Sequence, residues 1–214
     1  MALVLQTIAI TLHGGVLIRP FNLSIAEGEV VTLMGPSGSG KSSLLSLIAG
    51  DLAAPFAASG KVILDGIDLD GCPPETRRIG RLFQDDLLFP HLTVAGNLLF
   101  GMPRGNRIER LAKMQDALSH AGLDGFAQRP PHTLSGGQRA RVALLRSLLA
   151  EPRAMLLDEP FNKLDTALRA AVRCFVFDHL KARNIPCLMV THDRADAPVG
   201  GRVLSLQNGE VKDD

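Results

Sequence analysis

Gly35-Pro36-Ser37-Gly38-Ser39-Gly40-Lys41-Ser42 is the stretch that decides the fold. The octapeptide fits GxxxxGK[ST] in full, a loop whose side-chain-free residues let the backbone wrap with its N–H groups aimed inward at phosphate oxygens. Before it, 30–34 is a short apolar run; after it, 41–49 has helical character, and Gly50 stands where a helix C-cap belongs. Strand, glycine loop and helix in that order bring the positive end of a helix dipole to the phosphates. In this pattern Lys41 reaches the β- and γ-phosphates of ATP and Ser42 ligates Mg²⁺. A plain Gly/Ser connection between strand and helix does not account for the complete motif in that setting.

Working outward, a phosphate loop needs an acidic partner for the metal and a base for water. Met155-Leu156-Leu157-Asp158-Glu159 offers both at the end of an apolar run. Asp158 is placed to hold Mg²⁺, directly or through water, and Glu159 to orient and deprotonate the attacking water. Standing alone, such an acidic pair would read as a helix cap. The runs 154–157 and 187–190 suit central strands of a parallel sheet covered on both faces. Between them, 85–147 is rich in helix formers, notably at 108–120 and 137–149, and is broken by Pro90, Pro103, Pro130 and Pro131. Segments 3–12, 21–25 and 61–64 look like a small antiparallel sheet. The expected fold is α/β: a P-loop NTPase core with a mostly parallel sheet, a small N-terminal antiparallel β-subdomain and an inserted α-helical subdomain. One ATPase domain would take 1–214, its core about 1–84 and 148–214 and its helical subdomain about 85–147.

The bulk numbers remove other classes. Lys plus Arg is 23 against 22 Asp plus Glu, so no overall field draws polyanions, and nucleic acid is not an expected partner. Cys72, Cys174 and Cys187 form no CxxC pair, which argues against a disulfide framework or zinc site and fits a reducing cytosol. The apolar start 1–12 has no basic residue before Arg19 and no small-residue cleavage site, so it reads as a strand rather than a signal peptide. No run approaches the roughly 20 apolar residues needed to span a bilayer. Any membrane association would come through another chain.

Leu134-Ser135-Gly136-Gly137-Gln138 is more specific than the phosphate loop. Physically it is a second cradle, in which Ser135 can cap a helix whose first amides belong to two glycines. One nucleotide cannot easily use two cradles nearly a hundred residues apart in one chain. The string resembles the signature motif of ABC ATPases, and that resemblance implies a resolution: two copies pack head to tail as a homodimer. Each ATP then sits between the loop of Gly35, Pro36, Ser37, Gly38, Ser39, Gly40, Lys41, Ser42 and Ser43 on one copy and Ser135, Gly136, Gly137 and Gln138 on the other. Further motifs follow in the family's order. Gln84, after 79–83, resembles the Q-loop glutamine that senses metal and γ-phosphate. Leu164-Asp165 resembles the end of the D-loop, which puts Asp165 beside the nucleotide. His192, in Thr191-His192-Asp193, resembles the H-loop histidine that contacts the γ-phosphate.

Pro160-Phe161 and Phe89-Pro90-His91-Leu92-Thr93-Val94 look like the ATPases of bacterial importers for thiamine, iron, molybdate and polyamines. The resemblance implies transmembrane permease partners, indirectly a periplasmic or extracellular solute-binding protein, and a peripheral place on the cytoplasmic face of the inner membrane. Only 22 residues follow His192, so the C-terminal regulatory domain of many such importers is not expected. An exporter or lipid-extraction ATPase would more often carry Thr in place of Phe161. Soluble ABC ATPases typically add a coiled-coil insertion or a second ATPase domain. The chain also departs from the family. With no Tyr or Trp, the place of the adenine-stacking aromatic falls to Leu12 or His13. Asn162 and Lys163 stand where the D-loop usually has small residues, and Lys163 is expected to face solvent rather than a partner subunit. Ala140 and Gly96 differ without obvious chemical consequence. Arg139, Arg141 and Arg146, at helical spacing, read as a charged outer face.

Overall fold

The computed structural model describes residues 2–214, apart from the side chains of 166 and 167. Strand β1 (Leu3–Leu12) pairs antiparallel with β2 (Gly15–Ile25) on one side and, on the other, with a strand at Phe56–Leu64. Leu3, Leu5, Ile8 and Ile10 are all buried, although strict alternation would turn Ile8 outward. A register shift between Leu5 and Ile8 absorbs the extra residue, and Thr7 there takes φ 50. The bulge presses close on the facing strand: a Cβ at Gly60 would lie 2.5 Å from the carbonyl oxygens of Gln6 and Thr7. The apolar spacing of two, three and two along β1 is this bulge written in sequence.

After β2 come β3 (Val30–Met34) and α1 (Lys41–Ala49). The Phe56–Leu64 strand is β4, and β5 (Ile67–Asp68) and β6 (Ile79–Leu82) follow it. Four helices come next in the chain, interrupted once by a strand: α2 (Val94–Gly101), α3 (Arg107–His120), α4 (Gly136–Leu149), β7 (Ala154–Asp158) and α5 (Thr166–Ala182). The chain finishes with β8 (Cys187–Val190), β9 (Val203–Gln207) and β10 (Glu210–Asp213). The strands form a four-stranded sheet, β2-β1-β4-β5, and a six-stranded sheet, β10-β9-β3-β8-β7-β6. In the second sheet β3 runs parallel to β8 and β9, β7 runs parallel to β8, and the β9–β10 hairpin is antiparallel. Strands β7 and β8 are buried along their whole length and β3 along all but Met34, as expected of strands covered on both faces. The fold class expected from the sequence is the one observed.

The chain divides into two compact units. The first comprises Met1–Arg81, Arg153–Glu159 and Leu180–Asp214; the second comprises Leu82–Pro152 and Pro160–His179. In the first, Leu3, Ile18, Leu33, Leu45 and Leu156 belong to one buried apolar cluster that draws on both sheets and α1. In the second, α2, α3 and α4 bury Leu98, Leu118, Val142 and Leu145 in their own cluster. Each buried leucine contributes about 1.5–3 kcal/mol over an exposed one. Thr93, Asn106 and Ser135 cap these three helices with side-chain oxygens. Helices α2 and α5 were not expected from the sequence. The burial of Val172, Val176 and Leu180, four apart, is the signal that reveals α5.

Candidate active site

The phosphate loop leaves β3 and closes on the N-terminus of α1. Gly38 has φ +78 and its missing Cβ would meet nothing within 4 Å, so this part of the loop borders open space. Gly40, the N-cap of α1, has φ +102, and a Cβ there would press on Leu17 and Ile18 of β2 at 3.0–3.2 Å. Only glycine meets both demands at this position. Lys41 Nζ donates to the carbonyls of Gly35 and Pro36, each at 2.8 Å, so the ammonium lies across the start of the loop. Burial lowers the pKa of Lys41, and the nearby carboxylates of Glu159 and Asp158 oppose that shift.

The ends of β7 and β8 supply the acid and base chemistry. Asp158 is 8% exposed, and burial holds its carboxyl above the usual carboxylate range. A hydrogen bond from the Ser42 hydroxyl counters that shift, as do the charges of Arg81 and Lys41, while Glu159 adds to it. Glu159 sits one residue beyond β7 with φ 48, a left-handed backbone that costs a non-glycine residue about 1–3 kcal/mol. Its own N–H donates to the Val190 carbonyl at 2.9 Å, which extends the parallel ladder by one rung and holds the strained turn. His192 Nδ1 donates to Glu159 Oε1 at 3.2 Å. A buried hydrogen bond from Thr191 Oγ1 to Asp196 Oδ2, 2.8 Å, steadies the strand end that carries this histidine. Lys41, Ser42, Asp158, Glu159 and His192 are therefore linked by hydrogen bonds or charge within the first unit. Arg81 on β6 and Asp196 belong to this arrangement too, and the sequence reading missed both. Arg81 is drawn to Asp51 at 2.6 Å, a pairing that no local pattern announces.

Nucleotide with Mg²⁺ fits these residues. Ser39 Oγ is buried and makes no hydrogen bond among the described residues, an orphan donor inside the loop. The Ser42 hydroxyl and Asp158 carboxylate, already in contact, are hard oxygen donors of the kind Mg²⁺ takes alongside phosphate oxygens and water. His13 lies at the tip of the β1–β2 hairpin. His13 and Gly14 form a two-residue loop with φ 50 and 79 between paired Leu12 and Gly15, the signs a type I′ turn requires. His13 is exposed and Leu12 half-buried.

The second unit holds the remaining motifs. Ser135 Oγ accepts from Gln138 N at 3.3 Å, and Gln138 Oε1 accepts from Ser135 N at 2.9 Å, a complete capping box on α4. A Cβ at Gly136 would meet only the end of the Arg139 side chain at 3.9 Å, so this helix start is open as well. Asp165 Oδ1 accepts from Leu168 N at 3.0 Å at the start of α5. Gln84 lies exposed in the loop after β6. Two expectations fail here. Arg139, Arg141 and Arg146 do not form an outer charged face: Arg141 is 8% exposed and donates to the Ala121 carbonyl, Arg146 donates to the Leu87 carbonyl, and Arg139 donates to the Leu134 carbonyl. Their guanidinium groups donate to backbone carbonyls of neighbouring segments, buried at Ala121 and exposed at Leu87. Lys163 does not simply face solvent either: its Nζ donates to the Gln84 carbonyl at 2.8 Å and to Asp86 Oδ1 at 3.2 Å.

Comparisons with known proteins agree with this geometry. Residues 18–162 match the ABC transporter family. The chain is 46% identical over 207 residues to the uncharacterized ABC transporter ATP-binding protein YnjD of Escherichia coli, covering 95% of this chain and 94% of that one. It is 44% identical to the thiamine import ATP-binding protein ThiQ of Escherichia coli, over 89% of this chain and 82% of the relative. It is 46% identical to the Fe(3+) ions import ATP-binding protein FbpC of Mesorhizobium japonicum, over 88% of this chain. The chain spans only about half to three fifths of the length of the iron and polyamine relatives, 50–60%. Among solved structures, the dimeric post-hydrolysis state of the ATP-binding cassette MJ0796 bound to ADP and Pi superposes with a TM-score of 0.85 at 32% identity, covering 99% of this chain and 97% of that one. Motif geometry, sequence identity and superposition lead to one conclusion: the chain belongs to the ABC transporter family, as an ATP-binding subunit of its ATPase class.

Proposed function

We propose that the chain hydrolyses ATP as the energy-coupling subunit of a bacterial importer, acting as a head-to-tail homodimer on separate permease subunits. The observation that carries the catalytic part is the Glu159–His192 contact of 3.2 Å, in the unit that also sets Lys41 and Asp158 at the phosphate loop. The loop amides and Lys41 hold the β- and γ-phosphates. Bound through Ser42 and Asp158, with Gln84 as a further ligand of this reading, Mg²⁺ would neutralise the charge that develops on the phosphate oxygens. Glu159 accepts the proton of the attacking water, and His192 holds the carboxylate in position and contacts the γ-phosphate. Ser135, Gly136, Gly137 and Gln138 serve the nucleotide of the opposite copy, with Asp165 near the shared interface. Glu159→Gln keeps the size of the side chain but loses the basic oxygen. Turnover falls about 10²- to 10⁴-fold while ATP binding persists, and with Mg·ATP the variant elutes as a larger species in size exclusion. Near-normal hydrolysis by the variant would show that another residue is the base.

The importer reading rests on the thiamine, iron and polyamine import ATPases among the relatives. An apolar surface on the second unit suits a permease contact: Leu87 is 57% exposed, and Phe100, 68% exposed, meets the Phe89 ring edge-on at 4.7 Å. No described helix is long and apolar enough to cross a membrane, so the permease supplies the span in this reading. Leu87→Asp leaves the ATPase activity of the isolated subunit within about twofold and releases it from membranes that contain the permease. Retained membrane association would place the docking surface elsewhere.

A further inference from the structure

Lys163 occupies a D-loop position where a small residue is the family habit, and its contacts give it a task. Its ammonium donates to the Gln84 backbone carbonyl at 2.8 Å and to the Asp86 carboxylate at 3.2 Å. Asp86, whose side chain is 14% exposed, also faces Arg139 Nε at 3.4 Å, on the first turns of α4. Arg139 in turn donates to the Leu134 carbonyl at 2.7 Å, at the head of the signature string. The backbone of Lys163 closes the circuit: its carbonyl oxygen lies 2.8 Å from where a Cβ on Gly137 would stand, so the D-loop rests directly on the signature turn. Three separate stretches of sequence, at 84–86, 134–139 and 163, therefore meet around one carboxylate inside one unit.

We propose that Lys163 and Asp86 form a positioning pair that ties the backbone of the sensing glutamine to the D-loop and the signature helix, so that the three segments shift together. Two cations on one half-buried carboxylate satisfy its oxygens and fix its rotamer, which a single exposed pair does not achieve. The ammonium also anchors a main-chain carbonyl, so the backbone of Gln84 is held while its side chain stays free to sample a ligand. Gln84 and Asp85 are exposed.

The test compares Lys163→Met, which keeps the stem and removes the charge, with Asp86→Asn, the double variant and Lys163→Arg. Amide hydrogen exchange on the nucleotide-free chain reads residues 84–88 and 136–139. The pair predicts that each single variant speeds exchange there about three- to fivefold, leaves β3 and β7 unchanged, and gains nothing further in the double variant; Lys163→Arg restores protection. In ATPase assays kcat falls by a similar factor while KM for ATP is unchanged, since ground-state phosphate contacts are untouched. The kinetic arm rests on the ATPase reading, whereas the exchange arm needs no nucleotide, so a chain without activity would leave the exchange result to decide. Wild-type exchange at 84–88 in Lys163→Met, or effects of the single variants that add in the double, would overturn the pairing.

Discussion

Two helices in this molecule begin at glycines, and their first turns are satisfied in opposite ways. Helix α1 starts from Gly40 with no side-chain cap, and Lys41 at its first position is folded back on the loop carbonyls. Helix α4 starts from Ser135 with a full capping box that engages the N–H groups of Gln138 and Ser135 itself. The first turn of any helix leaves amides without intrahelical partners. On α1 a phosphate group would satisfy them, so binding and capping are one event. On α4 the capping box satisfies two backbone N–H groups from within the chain, so the helix end can form before any ligand arrives. The Ser135 hydroxyl, while accepting from Gln138, still has its own O–H to donate. A cradle that holds nucleotide within its own chain and one that meets it from another copy would differ in this way.

Breaking one cradle at a time sharpens the contrast. Lys41→Met removes the charge that meets the β- and γ-phosphates, and ATP affinity in the isolated chain falls roughly 10- to 100-fold. Ser135→Ala leaves that affinity within about twofold but destabilises the nucleotide-free chain by about 1 kcal/mol through loss of the cap. Equilibrium titration with a fluorescent ATP analogue and thermal melts of the apo proteins separate the two. If Lys41→Met bound normally, or if Ser135→Ala weakened binding in the monomer as much as Lys41→Met, the two cradles would not be distinct in role.

The smallest effect concerns Asp158. Burial raises its pKa in the folded chain above the ordinary 3.8, so folding disfavours its charged form. Below pH 3.8 the carboxyl is protonated both folded and unfolded, and there is no cost. As pH rises through the folded value the cost accrues, and it persists at neutrality. Asp158→Asn removes that charge, keeps an oxygen to accept from Ser42, and should melt at or slightly above wild type at pH 7 in the absence of Mg²⁺ and nucleotide. The advantage should vanish toward pH 4, and Mg·ATP should stabilise the variant less than wild type. A lower melting temperature at pH 7 for the apo variant would mean that the Ser42 and Arg81 interactions outweigh desolvation.

The sequence showed the two units unequally. Motifs built from neighbouring residues were plain: the loop at 35–42, the acidic pair at 158–159, and Ser135 as a cap. Their backbone demands are local, as φ +78 at Gly38 and φ +102 at Gly40 require glycine wherever they occur. Contacts that join distant residues were not visible. Arg81 beside Asp158 and Lys163 on Gln84 join positions 77 and 79 apart, and no period or spacing encodes them. The three arginines of α4 were misread for a related reason. Helical spacing puts Arg139 and Arg146 on one side of α4 and Arg141 on another, but it does not show that loop carbonyls lie within reach of all three. The spacing Ser-x-x-Gln, with Gln138 three residues after a serine N-cap, is the sign in sequence of the capping box found on α4.

The central claim is that the two cradles serve one nucleotide across two copies. Mixing Ser135→Arg with Lys41→Ala tests it most directly. Each variant alone should be nearly inactive: the first binds ATP as a monomer but presents a blocked signature turn, and the second lacks the charge that holds the β- and γ-phosphates. In an equal mixture about half the dimers are mixed, and each of these has one composite site with neither substitution, so activity should return to at most about a quarter of wild type. No recovery in a mixture shown to contain mixed dimers, or normal hydrolysis by Ser135→Arg alone, would contradict the shared site.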